Sequence, residues 1–141
     1  MLPPKRSDEN NAADWFYLAS DGLKTADLVW NAEGLTPSGI ELLQEAMERC
    51  LKGYLIAKGW SLVKTHCPSL LVWEAMPFDA RFGRFTSLAD ELTRGFFAQH
   101  YPGGDWQVIG RRYPDLRRQT GEGVGLIRDC LPQYSHDLPA L

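Results

Sequence analysis

Arg94 and His100 are the residues of this chain whose types and spacing come nearest to a reaction centre. RNA is cleaved when its 2′-hydroxyl attacks the neighbouring phosphate, and an imidazole can move the proton near neutral pH. A guanidinium can hold the phosphate and stabilise the charge that develops on it, so no metal is required. Arg94 and His100 are therefore candidate catalytic residues for metal-independent RNA cleavage.

The spacing of this pair limits how it can work. On an uninterrupted helix, six positions place two side chains about 120° apart in rotation and about 9 Å apart along the axis. Convergence then requires the length of Arg94, a distorted last turn or a second protomer. The alternative is a surface arginine with a histidine near a helix C-terminus, where positive charge is favourable.

A second candidate site contains four arginines within eight residues. Arg111, Arg112 and Tyr113 are followed by Pro114 and Asp115, and then by the pair at 117–118. Such a cluster could bind phosphate, with Tyr113 available for stacking on a base. The alternative is a solvated loop whose charges pair with nearby carboxylates, namely Asp105, Asp115 and Glu122.

Lys64 and His66 form a third candidate, just before the predicted start of a helix at Pro68. A helix start offers free amide groups and a positive dipole end, which can bind an anion. The alternative is a histidine that bonds to the backbone and fixes the turn. Lys52, in the preceding helix, is expected to point to solvent. The tryptophans are expected to be core or interface anchors: Trp15, Trp30, Trp60, Trp73 and Trp106.

Several classes of site are disfavoured by what the sequence lacks. It contains no glycine-rich phosphate loop, no His-Glu-x-x-His and no Gly-x-Ser-x-Gly. Three histidines make a zinc site a poor interpretation, so we expect neither a metal nor a cofactor. Three cysteines without Cys-x-x-Cys spacing suit reduced thiols better than a disulfide framework.

Chain length, net charge and the absence of long apolar segments favour one cytoplasmic domain. A length of 141 residues is typical of a single domain, and a net charge of −3 argues against non-specific binding to long nucleic acid. The first ten residues contain no hydrophobic run, so we expect no signal peptide. No apolar segment approaches the roughly 20 residues of a membrane span.

Helical periodicity and capping residues organise the rest of the chain. We predict an all-α, up-and-down bundle of four to five helices over residues 11–131, with a flexible tail at 1–10 and a second tail at 132–141. Asn11, Thr36 and Thr86 are predicted caps, and Gly34 and Gly59 are predicted stops. Residues 105–118 are predicted to be largely irregular. The first predicted helix follows the Asn11 cap and ends at about residue 33. The next three are predicted over 37 to about 58, 68–76 and 86 to about 100. The last is predicted over 121–131, after a cap at Thr120.

Two stretches of this pattern resemble the HEPN family of small helical bundles. The predicted second helix contains Glu48-Arg-Cys-Leu-Lys52, and the turn after it reads Lys64-Thr-His66, followed by Leu70-Leu71. The resemblance covers roughly residues 12–131. It implies an up-and-down helical bundle.

The resemblance leaves catalysis open. Ribonuclease members of that family have an arginine followed four to six residues later by a histidine, and Arg94 with His100 falls in this range. Gly95 departs from the polar residue that tends to follow the arginine. Many non-catalytic members have an Arg-Tyr-Pro-Asp element near the end of the fourth helix. Both 112–115 and the Tyr101-Pro102 stretch are candidates for its counterpart.

Further implications concern partners. The resemblance implies a nucleotide- or RNA-interacting module and a homodimer. Relatives are often paired with a minimal nucleotidyltransferase in a toxin–antitoxin arrangement, which implies a partner protein of that kind. We rank non-catalytic binding slightly above ribonuclease activity, because Gly95 and the displaced Arg-Tyr-Pro element depart from the active pattern. A purely structural, protein-interacting bundle is the competing class.

Overall fold

The structure, a computed structural model, describes residues 6–100 and 102–140, apart from the side chain of Gln99. Tyr101, Leu141 and the first five residues of the predicted tail lie outside the described residues. All the secondary-structure elements within them are helices, which confirms the predicted all-α class. The α-helices are α1 (Ala12–Glu33), α2 (Pro37–Ala57), α3 (Pro68–Ala75), α4 (Thr86–Gln99), α5 (Trp106–Gly110) and α6 (Tyr113–Cys130). Two 3-10 helices cover Ala80–Phe85 and Pro132–Tyr134.

Local capping chemistry sets the ends of the two longest helices, as predicted. The Asn11 side chain accepts a hydrogen bond from the amide of Ala13 at 3.0 Å. The Thr36 hydroxyl does the same for the amide of Gly39 at 2.9 Å, with Pro37 as the first residue of α2. Gly34 follows α1 with φ +72°, a conformation that favours glycine.

Helix α2 is the centre of the bundle, because it packs against α1, α3, α4, α5 and α6. The stripe predicted for it is buried in full, and its members are Met47, Cys50, Leu51, Tyr54 and Leu55. Phe16 of α1 lies directly on Gly53, where an added Cβ would meet the ring at 2.5 Å. The absence of a side chain at Gly53 thus sets how closely α1 approaches α2.

The predicted start of the last helix is wrong by eight residues. Helix α6 begins at Tyr113, with Pro114 in its first turn, and Thr120 is an interior residue whose hydroxyl bonds back to the carbonyl of Leu116 at 2.8 Å. The region predicted to be irregular therefore contains α5 and the start of α6. Within α6, Gly123 lies against α2, where an added Cβ would meet the Met47 methyl group at 2.9 Å.

The predicted role of Thr86 as a cap is also wrong, because Thr86 is the first residue of α4. Its hydroxyl donates to the carbonyl of Gly83 at 2.8 Å. The segments outside the bundle helices make contacts: Asp8 donates its amide to Asp14, and Leu138 is buried. None of the described helices is long and apolar enough to cross a membrane.

Candidate functional site

Three polar side chains of α2 form a buried ladder. Gln44, Glu48 and Lys52 are spaced four apart, which places them along one helical face, and each is at most 5% exposed. Gln44 Nε2 donates to Glu48 Oε1 at 3.0 Å, and Lys52 Nζ donates to Glu48 Oε2 at 2.8 Å. Gln44 Oε1 is buried without a hydrogen-bond partner among the described residues.

The prediction that Lys52 points to solvent is wrong, because the residue is only 5% exposed. Its ammonium group is held between the Glu48 carboxylate and the ring of Trp15, whose centroid is 5.3 Å away. A buried charge is tolerated when it is paired, and Glu48 supplies that pair. Trp15 in turn is fixed because its indole N–H donates to the carbonyl of Glu9 at 2.9 Å.

His66 connects this ladder to the surface. Its Nδ1 lies 3.3 Å from Glu48 Oε1, and its backbone carbonyl accepts from Gln44 Nε2 at 3.2 Å. The side chain is 71% exposed, while that of Glu48 is 6% exposed. An ionised carboxylate can only accept, so this contact places a proton on Nδ1 and directs Nε2 away from Glu48.

A groove of about 260 Å³ opens beside His66, between the loop at 58–67 and the start of α1. Lys64 is exposed at its edge and Lys52 lies at its base. We call it the Lys64–His66 groove, and its lining is Glu9, Trp15, Lys52, Leu62, Lys64, Thr65 and His66. It offers cationic and hydrogen-bonding groups beside one aromatic wall.

Phe96 of α4 brings His66 and His100 into one neighbourhood. The His66 ring stacks on Phe96 with centroids 5.5 Å apart and an interplanar angle of 20°. The His100 ring is 4.2 Å from the same phenyl ring, and its Nδ1 bonds to the carbonyl of Phe96 at 2.5 Å. Two residues that were separate candidates in the sequence therefore flank one side chain.

Arg94 stands on α4, which is helical through Gln99 and ends with His100 in right-handed helical geometry. The last turn is therefore not distorted in a way that would bring the two side chains together within one protomer. Gly95 points into the bundle, where an added Cβ would lie 3.0 Å from Ile40 Cγ2. Packing against α2 thus accounts for the glycine after Arg94.

The arginine cluster is largely engaged by carboxylates. Arg112 pairs with Glu91 and Asp115, and Arg118 also pairs with Asp115. The remaining ion pairs join Arg117 to Asp27 and Arg118 to Glu122. These arginines hold the pKa of Asp115 below its ordinary value, chiefly through the hydrogen bond from Arg118. The expected partner Asp105 does not appear among these pairs.

Tyr113 lies inside the protein. It is 2% exposed, and its ring stacks on Trp30 with centroids 4.7 Å apart and an interplanar angle of 8°. Burial raises its pKa to about 12. The stacking surface that the sequence suggested at Tyr113 is therefore taken by a tryptophan of the same chain.

Sequence reasoning missed Gln44, Glu48 and Phe96. The available signal was the four-residue spacing of polar residues along one side of α2, parallel to the apolar stripe. That spacing is equally typical of a solvated helix face. Only the contact with Trp15 and the 58–67 loop makes it a buried ladder.

Comparison with known proteins gives one match. A family model described as HEPN domain matches residues 12–122, which include every candidate residue above. No curated protein and no solved structure matches the chain.

Proposed function

The chain belongs to the HEPN domain family, and from this premise we propose that it binds nucleotide or RNA in the Lys64–His66 groove, in the cytoplasm. The observation that carries this proposal is a groove with an exposed lysine, a histidine and an aromatic wall, built on a buried, fixed ladder. Lys64 and His66 can contact a phosphate, and the Trp15 ring forms a wall beside them. The buried Glu48–Lys52 pair holds this wall and His66 in place.

The arginine cluster supports binding less strongly. Arg112 would have to leave Glu91 and Asp115 to bind a phosphate, which costs part of the gain. Arg111 is exposed and is the better phosphate ligand of the two. We place Arg111 and Arg112 at the periphery of the binding surface, and Tyr113 supports them from inside through its stack on Trp30.

The binding proposal is tested by titrating a fluorescent single-stranded RNA and measuring anisotropy at fixed ionic strength. We expect Lys64→Ala combined with His66→Ala to weaken affinity about tenfold or more, because two phosphate contacts are lost. Arg111→Ala combined with Arg112→Ala should weaken it less. Lys24→Ala, an exposed lysine on α1 outside the groove, is the matched control for charge. Equal affinity in the wild type and the Lys64/His66 variant would refute the groove.

We also propose, from the family, a homodimer and a minimal nucleotidyltransferase as partner protein in a toxin–antitoxin arrangement. The exposed apolar residues Leu70, Trp73 and Phe97 supply a surface for such contacts. Co-expression with a nucleotidyltransferase encoded beside this chain, followed by co-purification, tests the partner. Failure of the two proteins to associate would refute the nucleotidyltransferase partner, and it would leave the binding and protein-interaction functions as stand-alone functions of this chain.

Ribonuclease activity of Arg94 with His100 is the alternative within this family. Because α4 is helical through Gln99 and His100 keeps right-handed helical geometry, the pair would have to be completed by Arg94 of a second protomer or by the length of its side chain. A non-catalytic protein-interaction bundle is the competing function. If neither the wild type nor any variant binds RNA in the titration, this interaction function is favoured.

A further inference from the structure

A separate groove lies between the 3-10 helix Ala80–Phe85 and the C-terminal half of α6. Its volume of about 470 Å³ is within the range of about 300–1,000 Å³ that is typical of ligand-binding clefts. Three arginines and two carboxylates line it, together with the uncharged residues Gly125 and Leu126. None of these residues lines the Lys64–His66 groove. We call it the Arg84–Arg128 groove, after the two arginines that are most open to a ligand.

The two arginines of the 3-10 helix differ in how firmly carboxylates hold them. Arg81 donates from Nε and Nη2 to the Asp79 carboxylate, at 3.1 and 2.8 Å, which is the fork geometry of a strong pair. Arg84 makes one hydrogen bond from Nη2 to Glu122 at 3.3 Å, and its side chain is 62% exposed. Exposed ion pairs of this kind contribute little stability, so Arg84 can exchange Glu122 for another carboxylate at low cost.

Glu122 does not depend on Arg84 for a cation. Arg118, four residues earlier on α6, donates from Nη1 to Glu122 Oε1 at 2.6 Å, while Arg84 contacts the other oxygen. Release of Arg84 therefore leaves the Glu122 carboxylate paired. The groove can thus present the Arg84 guanidinium without creating an unpaired charge on α6.

Arg128 is oriented by the backbone rather than by a carboxylate. Its Nη2 donates to the carbonyl of Pro139, and the residue is half-buried on the groove wall. Within the part of the chain that the structure describes, no carboxylate forms an ion pair with Arg128. A neutral carbonyl positions the guanidinium without cancelling its charge, and the dipole at the end of α6 offsets only part of it. Arg128 is therefore a fixed cation that a ligand carboxylate can pair with.

We propose that the Arg84–Arg128 groove binds an acidic segment of a partner protein, with carboxylates of Asp or Glu side chains on Arg84 and Arg128. Guanidinium groups match carboxylates in bidentate geometry, and both arginines already accept oxygen partners from this chain. No aromatic ring is among the described residues that line the groove, so it lacks the stacking surface typical of a single-stranded RNA site. The ligand is for this reason a polypeptide rather than RNA, and its binding is independent of the Lys64–His66 groove.

Asp129 opposes this ligand and gives the proposal a second, opposite test. It is exposed and lines the same groove, next to Arg128 in sequence. A like charge beside the site repels an acidic segment, so removal of the Asp129 charge should strengthen binding. Because the groups involved are largely exposed, the affinity should also fall as ionic strength rises.

The test is a titration of a fluorescent oligo-glutamate peptide with the full chain, followed by anisotropy at low and high salt. We expect Arg84→Ala combined with Arg128→Ala to weaken affinity about tenfold or more, because two charge-assisted contacts are lost. Asp129→Asn should tighten it about two- to fivefold. Arg111→Ala is the matched control, since this exposed arginine lies outside the groove and should leave the affinity unchanged. The same titration with oligo-glutamine should show no binding.

Arg84→Glu keeps the test decisive if loss of the Arg128 bond to Pro139 disturbs the fold. This variant leaves that bond in place and should abolish peptide binding while circular dichroism shows unchanged helical content. Equal affinity of the wild type and Arg84→Glu would overturn the proposal, as would a wild type that does not bind oligo-glutamate. Binding of single-stranded RNA is measured in parallel. If Arg84→Glu weakens RNA binding as much as peptide binding, the groove is a nucleic-acid subsite and the acidic segment is the wrong ligand.

Discussion

At the scale of single residues, the Glu48–Lys52 pair has two consequences. It removes a lysine from solvent, and it provides the carboxylate that orients His66. A hydrophobic pair of similar size could fill the same space, and buried ion pairs are often no more stabilising than such replacements. The pair is therefore better explained by what it does for His66 and Trp15 than by its contribution to stability.

Removing one partner of the pair tests its burial. We expect Lys52→Met to lower the free energy of unfolding by about 3–5 kcal/mol, because it leaves the Glu48 carboxylate buried without its cation. Arg49→Ala on the same helix is the control. The Arg49–Glu45 pair is more exposed, with side chains about 30% accessible, so its loss should cost less than about 1 kcal/mol. Urea unfolding measures both, and equal effects would contradict the burial of Lys52.

Away from the site, a second polar cluster shows how local bonding shifts titration. Arg81 donates hydrogen bonds to Asp79 from its side chain and its backbone amide, and these bonds hold the pKa of Asp79 well below its ordinary value. The Cys130 thiol also donates to Asp79, and burial is the main reason that its pKa is raised. Burial raises the pKa of Cys50 to about 12. These two thiols are accordingly less reactive than an ordinary surface cysteine.

At the scale of helices, close approach of α1 to α2 depends on Gly53. We expect Gly53→Ala to lower the free energy of unfolding by about 1–3 kcal/mol, because the new Cβ overlaps the Phe16 ring and either helix must shift. Gly103→Ala is the control, since nothing lies within 4 Å of a Cβ there. Thermal or urea unfolding measures both variants. Equal stabilities would show that the Phe16 ring moves away without cost.

The same scale shows which elements can be predicted from sequence. Asn11, Thr36, Pro37 and Gly34 act on their own backbone neighbours, so capping chemistry identifies the ends of α1 and α2. Helix α6 could not be predicted in this way. Its glycines lower intrinsic helix propensity, and the gain that offsets them is contact between Gly123 and Met47 of α2.

The candidate site also contains some features that the local sequence predicts and others that depend on long-range packing. Lys64 and His66 were identifiable because they stand beside a helix start in a polar turn. Burial of Glu48 and Lys52 could not be predicted, because it depends on Trp15 and on the 58–67 loop covering α2. Convergence of His66 and His100 likewise depends on where α4 places Phe96, which is a long-range property of the fold.

At the scale of the whole molecule, net charge and local charge differ in meaning. The chain is acidic by three charges, which disfavours general attraction to nucleic acid. Many of its cations are neutralised internally, as in the pairs of Arg112, Arg117 and Arg118. Binding of RNA would therefore depend on a small site with few phosphate contacts, and its affinity should respond weakly to salt.

The exposed apolar side chains lead to the last prediction, which concerns assembly. Trp73 is 70% exposed and Leu70 is 37% exposed on α3, where residues three apart share a face, and Phe97 is 59% exposed on α4. Helices α3 and α4 are joined by a hydrogen bond from Ser69 to Asp90 at 2.6 Å. Exposed aromatic residues on adjoining helices are typical of a protein interface.

We therefore expect light scattering at micromolar concentration to report a dimer of the 15.9 kDa chain. Trp73→Glu should shift it to monomer without loss of helical content, because it places a charge in the centre of an apolar contact. Leu28→Glu is the matched control, since Leu28 is 61% exposed on α1 and should leave the dimer intact. A wild-type monomer would contradict the dimer, and it would leave the length of the Arg94 side chain as the remaining way for Arg94 to reach His100.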